Sequence, residues 1–200
     1  MRKYFFPLAT FFFVAACALA PKDVGRAHMF ALDPLGLPSS TALASAPALA
    51  VALPLSAPDL DTYRIALIHP DGRHDYYAGA RWVEFLPLIV QDSLIKTFER
   101  AGAFRSVTAL QPGIGAGDEL TLKVEIRAFQ AEYKKPGAAP VVRVNLAATV
   151  LSAGRAPVSF AVSGESPASR DSLPAIQAAF SSAFIAAQKK IALRVLKKDQ

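Results

Sequence analysis

Three alternating runs between residues 119 and 162 constrain this chain more than any other feature. Leu120, Leu122, Val124 and Ile126 alternate with Thr121, Lys123, Glu125 and Arg127. A period of two puts the apolar set on one side of a strand and the polar set on the other. At Ala128 the apolar phase slips by one, to Phe129, Ala131 and Tyr133, which predicts a β-bulge or a change of sheet environment. A Lys/Pro/Gly loop at 134–140 follows, and Val142, Val144, Leu146, Ala148 and Val150 alternate on the way back. Gly154 and Arg155 then turn the chain into Val158, Phe160 and Val162. Three consecutive strands predict an antiparallel meander, and a meander with an apolar face needs a cover.

Two segments supply that cover. After Pro87, which suits a first helical turn because its missing N–H has no intrahelical partner there, Leu88, Val90, Leu94, Ile95 and Phe98 mark a broad apolar face. Asp92, Lys96, Glu99 and Arg100 fall away from it, and Gly102 is the stop. The second helix opens at Ser172, a candidate cap, and Pro174, and carries Ile176, Phe180, Ala183, Phe184, Ala187, Ile191 and Val195 on one stripe. The expected fold class is α+β: a mainly antiparallel sheet with two helices packed on one face.

The remaining strands are shorter. Residues 28–33 form a candidate first strand, ended by Asp33 and Pro34, and residues 34–48 read as an irregular Pro/Ser/Ala-rich loop. Leu49, Val51 and Leu53 alternate up to Pro54. Residues 63–68 and the pair Tyr76, Tyr77 make a hairpin around Pro70, Asp71 and Gly72. Beyond it, a short glycine-containing corner brings Arg81 and Trp82 to the start of the first helix, and residues 104–109 form a short strand after that helix.

The amino terminus addresses the chain. Arg2 and Lys3 precede an apolar stretch at 4–16, too short to span a membrane comfortably, and Cys17 follows Val14, Ala15 and Ala16. This resembles a bacterial lipobox, in which a cysteine thiol takes a diacylglycerol and becomes the mature end. Residues 1–16 are therefore expected to be a lipoprotein signal peptide, 17–26 a tether after the lipidated Cys17, and 27–200 a single domain. Ala18 rather than Asp after the cysteine resembles lipoproteins sent to the outer membrane. Loss of Arg2 and Lys3 lowers the net charge from +6 to +4. Much of that excess lies in Lys189, Lys190, Arg194, Lys197 and Lys198, where cations complement the end of a helix dipole. No aromatic-basic motif supports a nucleic-acid partner.

Chemistry is thinly represented. Cys17 lies outside any domain, no glycine-flanked serine elbow occurs, and no paired carboxylates or nucleophile–base set can be named, so no catalytic residue and no cofactor is expected. His69, Asp71, His74 and Asp75 lie within seven residues, but a hairpin tip splays such side chains, and no metal site is expected there; His28 stands apart. Gly113, Gly115 and Gly117 precede a strand, so no helix amino terminus offers a phosphate cradle.

The lipobox, Phe30 to Asp33, Leu49 to Val51, Pro58 to Asp61, the Tyr77-x-x-x-Arg81-Trp82 signature with Tyr76, the helix through Leu94 and Phe98 to Gly102 and Phe104, the strand through Phe129 and the alanine-rich last helix resemble the auxiliary lipoprotein component of ABC-type transporters. The resemblance implies a non-enzymatic partner of an ATPase, a permease and an MCE-type periplasmic protein, moving lipids or other hydrophobic molecules across the envelope. It assigns no site residue. From residue type, Tyr77, Arg81 and Trp82 are candidate partner-binding residues, for the MCE-type protein or a second copy of the chain, if the corner is exposed. The packing account instead makes Trp82 a core residue and pairs Arg81 with Glu84 or a carbonyl. A lipoprotein that regulates a periplasmic cell-wall synthase is the alternative function.

Overall fold

The computed structural model describes residues 27–36, 45–110 and 119–197. The expected signal peptide at 1–16 and the expected tether from Cys17 to residue 26 lie outside these, as do most of the 34–48 loop and the glycine segment at 111–117. The elements are β1 (His28–Phe30), β2 (Ala48–Val51), β3 (Leu55–Ser56), β4 (Arg64–Ile68), β5 (His74–Trp82), α1 (Leu86–Ala101), β6 (Ser106–Ala109), β7 (Leu120–Glu132), β8 (Val141–Ser152), β9 (Arg155–Pro167) and α2 (Leu173–Lys197). The class is α+β, with two helices and nine strands in one mixed sheet among the described residues.

β7 is the spine. Along one edge it pairs antiparallel with β8, which pairs antiparallel with β9, as the alternating runs predict. The predicted slip is present as a register shift between Ile126 and Ala128. The other edge differs from expectation, because β2, β3 and β4 line up along it in succession, all parallel to β7. β2 pairs in turn with β6, and β4 with β5, whose far edge takes β1. Pro54 and Pro58 lie in the gaps of this broken strand, where a missing N–H costs no ladder bond. The alternation of Leu49, Val51 and Leu53 misled for the same reason. Every residue of β2 is buried, as in a strand flanked on both edges and covered on both faces, whereas Leu53 is 52% exposed.

α1 starts with proline in its first turn and ends at Gly102, whose φ of 61° and N–H to Glu99 O at 3.1 Å make a left-handed cap. Its buried face is rotated from the predicted one: Ile89, Ser93 and Thr97 are buried, and Leu88 is exposed. Two of these are polar because they meet α2. Gln188 donates to Ser93 Oγ at 2.8 Å and to Thr97 Oγ1 at 3.3 Å, while Thr97 Oγ1 also accepts from the backbone of Leu35 at 3.1 Å. The hydroxyl of Ser172 accepts from Arg170 at 3.3 Å.

The predicted stripe of α2 is buried throughout, with Ala179, Gln188 and Ala192 added. Phe180 stacks on Phe129 at 5.5 Å, Phe184 meets Phe129 at 5.7 Å, and Trp82 closes the cluster edge-on to Phe129 and Phe180 at 5.7 and 5.2 Å. Alanines bring the α2 backbone down onto β9. A Cβ built on Gly164 would stand 1.8 Å from the carbonyl oxygen of Ala183 and 3.2 Å from the backbone N of Ala187. Backbone on both sides leaves no side chain to swing away. Gly164→Ala is therefore expected to cost more than the about 1–3 kcal/mol usual for overpacking, read as a fall in denaturation midpoint, whereas Gly36→Ala, with open space at its Cβ, is expected to leave the midpoint unchanged.

Candidate functional site

The last turn of β5 does not leave the sheet as a corner. β5 continues to Trp82, and the glycine is absorbed as an irregularity: Arg64 faces Arg81, yet Ala66 faces Tyr76, so β5 carries extra residues around Gly79, whose φ is 70°. Ala80 points in, Arg81 out and Trp82 in. The ladder holds this end on both edges, through Trp82 N–H to Tyr63 O at 2.7 Å and Val83 N–H to Phe30 O at 2.9 Å. Leu86 N–H to Thr62 O at 3.1 Å then ties the start of α1 to the same edge.

This fixes where the three candidate residues go, and it separates them. Trp82 is 1% exposed in the aromatic core, so it follows the packing account and is not on an exposed corner. Its indole N–H has no hydrogen-bond partner among the described residues. Tyr77 turns to another side of the molecule, where its hydroxyl donates to Tyr133 at 2.9 Å and Tyr133 donates to Asp171 at 2.7 Å. Only Arg81 is exposed. It does not pair with Glu84, whose carboxylate accepts from Phe85 N–H at 2.9 Å. Its guanidinium lies over the Tyr63 ring at 5.7 Å and reaches Met29 Sδ at 3.5 Å.

Around Arg81 the surface is apolar. Tyr63 meets Phe85 edge-on at 5.7 Å, and Met29, Tyr63, Val83, Phe85 and Leu88 are all more than 40% exposed. The sequence hides this surface, because its members come from β1, the approach to β4, the end of β5 and the first turn of α1. Phe85, directly before the helix and outside its buried face, was the available signal. A second arginine belongs to it. Arg64 stands directly opposite Arg81 in the ladder and lies over the Tyr76 ring at 3.7 Å. Like charges in that position repel, and no carboxylate among the described residues pairs with either arginine. The result is an aromatic and methionine-bearing surface with two guanidinium groups on it, the composition of interface anchors.

The Tyr77–Tyr133–Asp171 chain borders a depression of about 480 Å³ between the β4–β5 and β7–β8 hairpins. Burial pushes both phenols up, Tyr133 to about 12 and Tyr77 further, the latter also because its proton is held by Tyr133. His69 of the same rim pairs with Asp75 at 3.4 Å; the backbone N–H of Tyr76 first, and His69 second, hold the Asp75 carboxyl below the usual carboxylate range. Among the described residues no three of His, Cys, Asp and Glu converge as metal ligands. No helix among them is long and apolar enough to cross a membrane.

Residues 30–192 match the family model described as ABC-type transport auxiliary lipoprotein component. The chain belongs to this family. The match runs from the last residue of β1 into the last turns of α2, so it includes Arg64, Arg81 and Phe85. No curated protein matches the chain. Solved structures show the same fold. A Xanthomonas campestris protein is similar with a TM-score of 0.70 at 24% identity over 86% of this chain and 95% of its own, and an uncharacterized protein with 0.64 at 16% over 86% and 99%. In this auxiliary lipoprotein the tyrosine chain and the indole make separate predictions. With folded phenols raised above the unfolded value near 10, their neutral forms support the fold fully below about pH 10 and lose that support as pH rises through the folded values. Alkaline unfolding is expected to begin above about pH 10, and Tyr133→Phe to flatten it. Trp82→Ala is expected to cost roughly 3–5 kcal/mol, and Trp82→Phe much less, because it also removes an unpaired buried N–H; urea midpoints read both.

Proposed function

We propose that this auxiliary lipoprotein sits on the periplasmic face of the outer membrane, acylated at Cys17. There it serves, without catalysis of its own, an ABC transporter whose MCE-type partner moves lipids or other hydrophobic molecules across the envelope. Family membership supports the transporter, and the Val-Ala-Ala-Cys sequence at 14–17 supports the anchor.

The surface around Arg81 carries the docking part of the reading. Arg64 and Arg81, cross-strand partners that no carboxylate among the described residues pairs with, leave two guanidiniums available to acidic groups from outside the chain. The rings of Tyr63 and Phe85 and the thioether of Met29 supply apolar area around them. The MCE-type partner is therefore expected to present carboxylates within an apolar surround. Trp82 and Tyr77 contribute by holding the ladder in place.

Alanine at Arg81 and Phe85 tests this. Loss of anchors of this kind costs about 2 kcal/mol or more each, at least roughly thirty-fold in affinity. The double variant is expected to keep its melting temperature and fail to co-purify with the MCE-type protein. Retained co-purification sinks the docking reading, and loss of self-association alone assigns the surface to a second copy. Cys17→Ser is expected to leave an unacylated precursor by mass; an unmutated chain cut instead after Ala18-Leu19-Ala20, beginning at Pro21 without acyl groups, contradicts the anchor.

A further inference from the structure

A second surface lies on the opposite edge of the sheet. Lys190, Leu193, Arg194 and Lys197 recur at helical spacing along one exposed side of α2, next to the buried stripe. β9, the edge strand beside them, presents Val158 and Phe160. Helix and strand enclose two adjoining depressions of about 480 and 440 Å³, both lined by Arg194 and Lys197. The apolar floor is not accidental filling: Val158 and Leu193 are among the exposed large hydrophobic side chains.

Among the described residues no carboxylate pairs with Lys190, Arg194 or Lys197. α2 has no acidic residue along its 25 residues. The one acid of β9, Glu165, is engaged by Arg143 at 2.8 Å. Arg194 lies over the Phe160 ring at 4.8 Å, and Lys190 donates to the carbonyl of Ser163 at 2.6 Å, so both heads are held at the mouth of the groove. A helix-dipole role accounts for basic residues in the last turn. It does not account for Lys190 two turns earlier, nor for exposed leucine and valine between the cations. Long basic side chains beside an exposed apolar floor are the pattern of a surface seated at a lipid–water boundary.

We propose that the groove between β9 and the carboxy-terminal half of α2 rests on the membrane and seats the phosphodiester headgroups of anionic phospholipid. This rests on the anchoring at Cys17 proposed above, and the geometry permits both contacts together. From β1 to β9 the sheet crosses five strand spacings, about 24 Å. The ten residues from Cys17 to Ala27 reach at most about 35 Å. The anchor and the groove can therefore lie on one plane, with the sheet edge-on to the membrane between them. Each basic side chain near an anionic surface contributes about a five-fold factor in partition, and the contribution falls off within a Debye length, which added salt shortens.

Acylation leaves the mature chain without a thiol, since Cys17 is its only cysteine. Val158→Cys then accepts a single environment-sensitive fluorophore at the groove. The labelled lipoprotein is reconstituted in vesicles of phosphatidylcholine alone or of phosphatidylcholine with phosphatidylglycerol. Emission is expected to rise and shift to the blue with phosphatidylglycerol only, and to revert in high salt. Lys190→Gln with Lys197→Gln is expected to weaken the response roughly twenty-five-fold at an unchanged melting temperature. Equal emission in both vesicles, silence in both, or a full response from the double variant would falsify the proposal. The mass of the same preparation reads acylation separately. If Cys17 proves unacylated, the anchoring fails by itself, and co-flotation of the unlabelled chain with phosphatidylglycerol vesicles still decides the groove: flotation lost in the double variant supports it, and no flotation overturns it.

Discussion

The contact on which the rest depends is backbone against backbone, where the carbonyl of Ala183 on α2 lies over Gly164 of β9. A helix this close to a strand can bury small residues only at the point of contact, hence Ala179, Ala183 and Ala187. The approach sets the depth at which Phe180 and Phe184 enter the core, and so the stacking of Phe180 on Phe129 and the position of Trp82. Dense interiors transmit such a constraint, because a displaced helix leaves voids that nothing nearby can fill. Gln188 carries it to α1, where Ser93 and Thr97 accept its amide and join the two helices through polar groups within an apolar interior.

How much of this could be read in advance depended on which physical signal was local. The β7–β8–β9 meander, its bulge at Ile126 and the stripe of α2 follow from periodicity alone, and they appear as expected. The parallel edge of β7 does not, because pairing of residues 48–68 with 120–132 is set by contacts far apart in sequence. The unbroken apolar run at 48–53 was the hint, and the alternation through Leu53 concealed it. The rotation of α1 failed for a related reason. Ser93 and Thr97 look solvent-facing until Gln188, nearly a hundred residues later, supplies their partner.

Of the three candidate residues read from the sequence, one lies on the exposed apolar surface. Arg81, Tyr77 and Trp82 are close in sequence, but strand alternation sends 81 and 82 to opposite faces, and the irregularity at Gly79 detaches 77 from both. What gathers around Arg81 instead comes from four segments brought together by β1, β4 and β5. Sequence proximity suggested a cluster, whereas the ladder determines which side chains share a face. Trp82 still serves the surface indirectly, since its burial fixes the end of β5 from which Arg81 projects.

The broken strand along β7 also orders events in time. Residues 48–68 precede their partner by more than fifty positions, and prolines in their gaps keep them from joining into one continuous strand on their own. A chain presented from its amino terminus can close the β4–β5 turn early but must hold β2, β3 and β4 unpaired on that edge until β7 follows. Long loops must then close before their contacts reward the closure, so this sheet completes late and slowly. The amino-terminal half of the domain thus behaves as a waiting half-template, and the arrival of one later strand converts it to the finished fold.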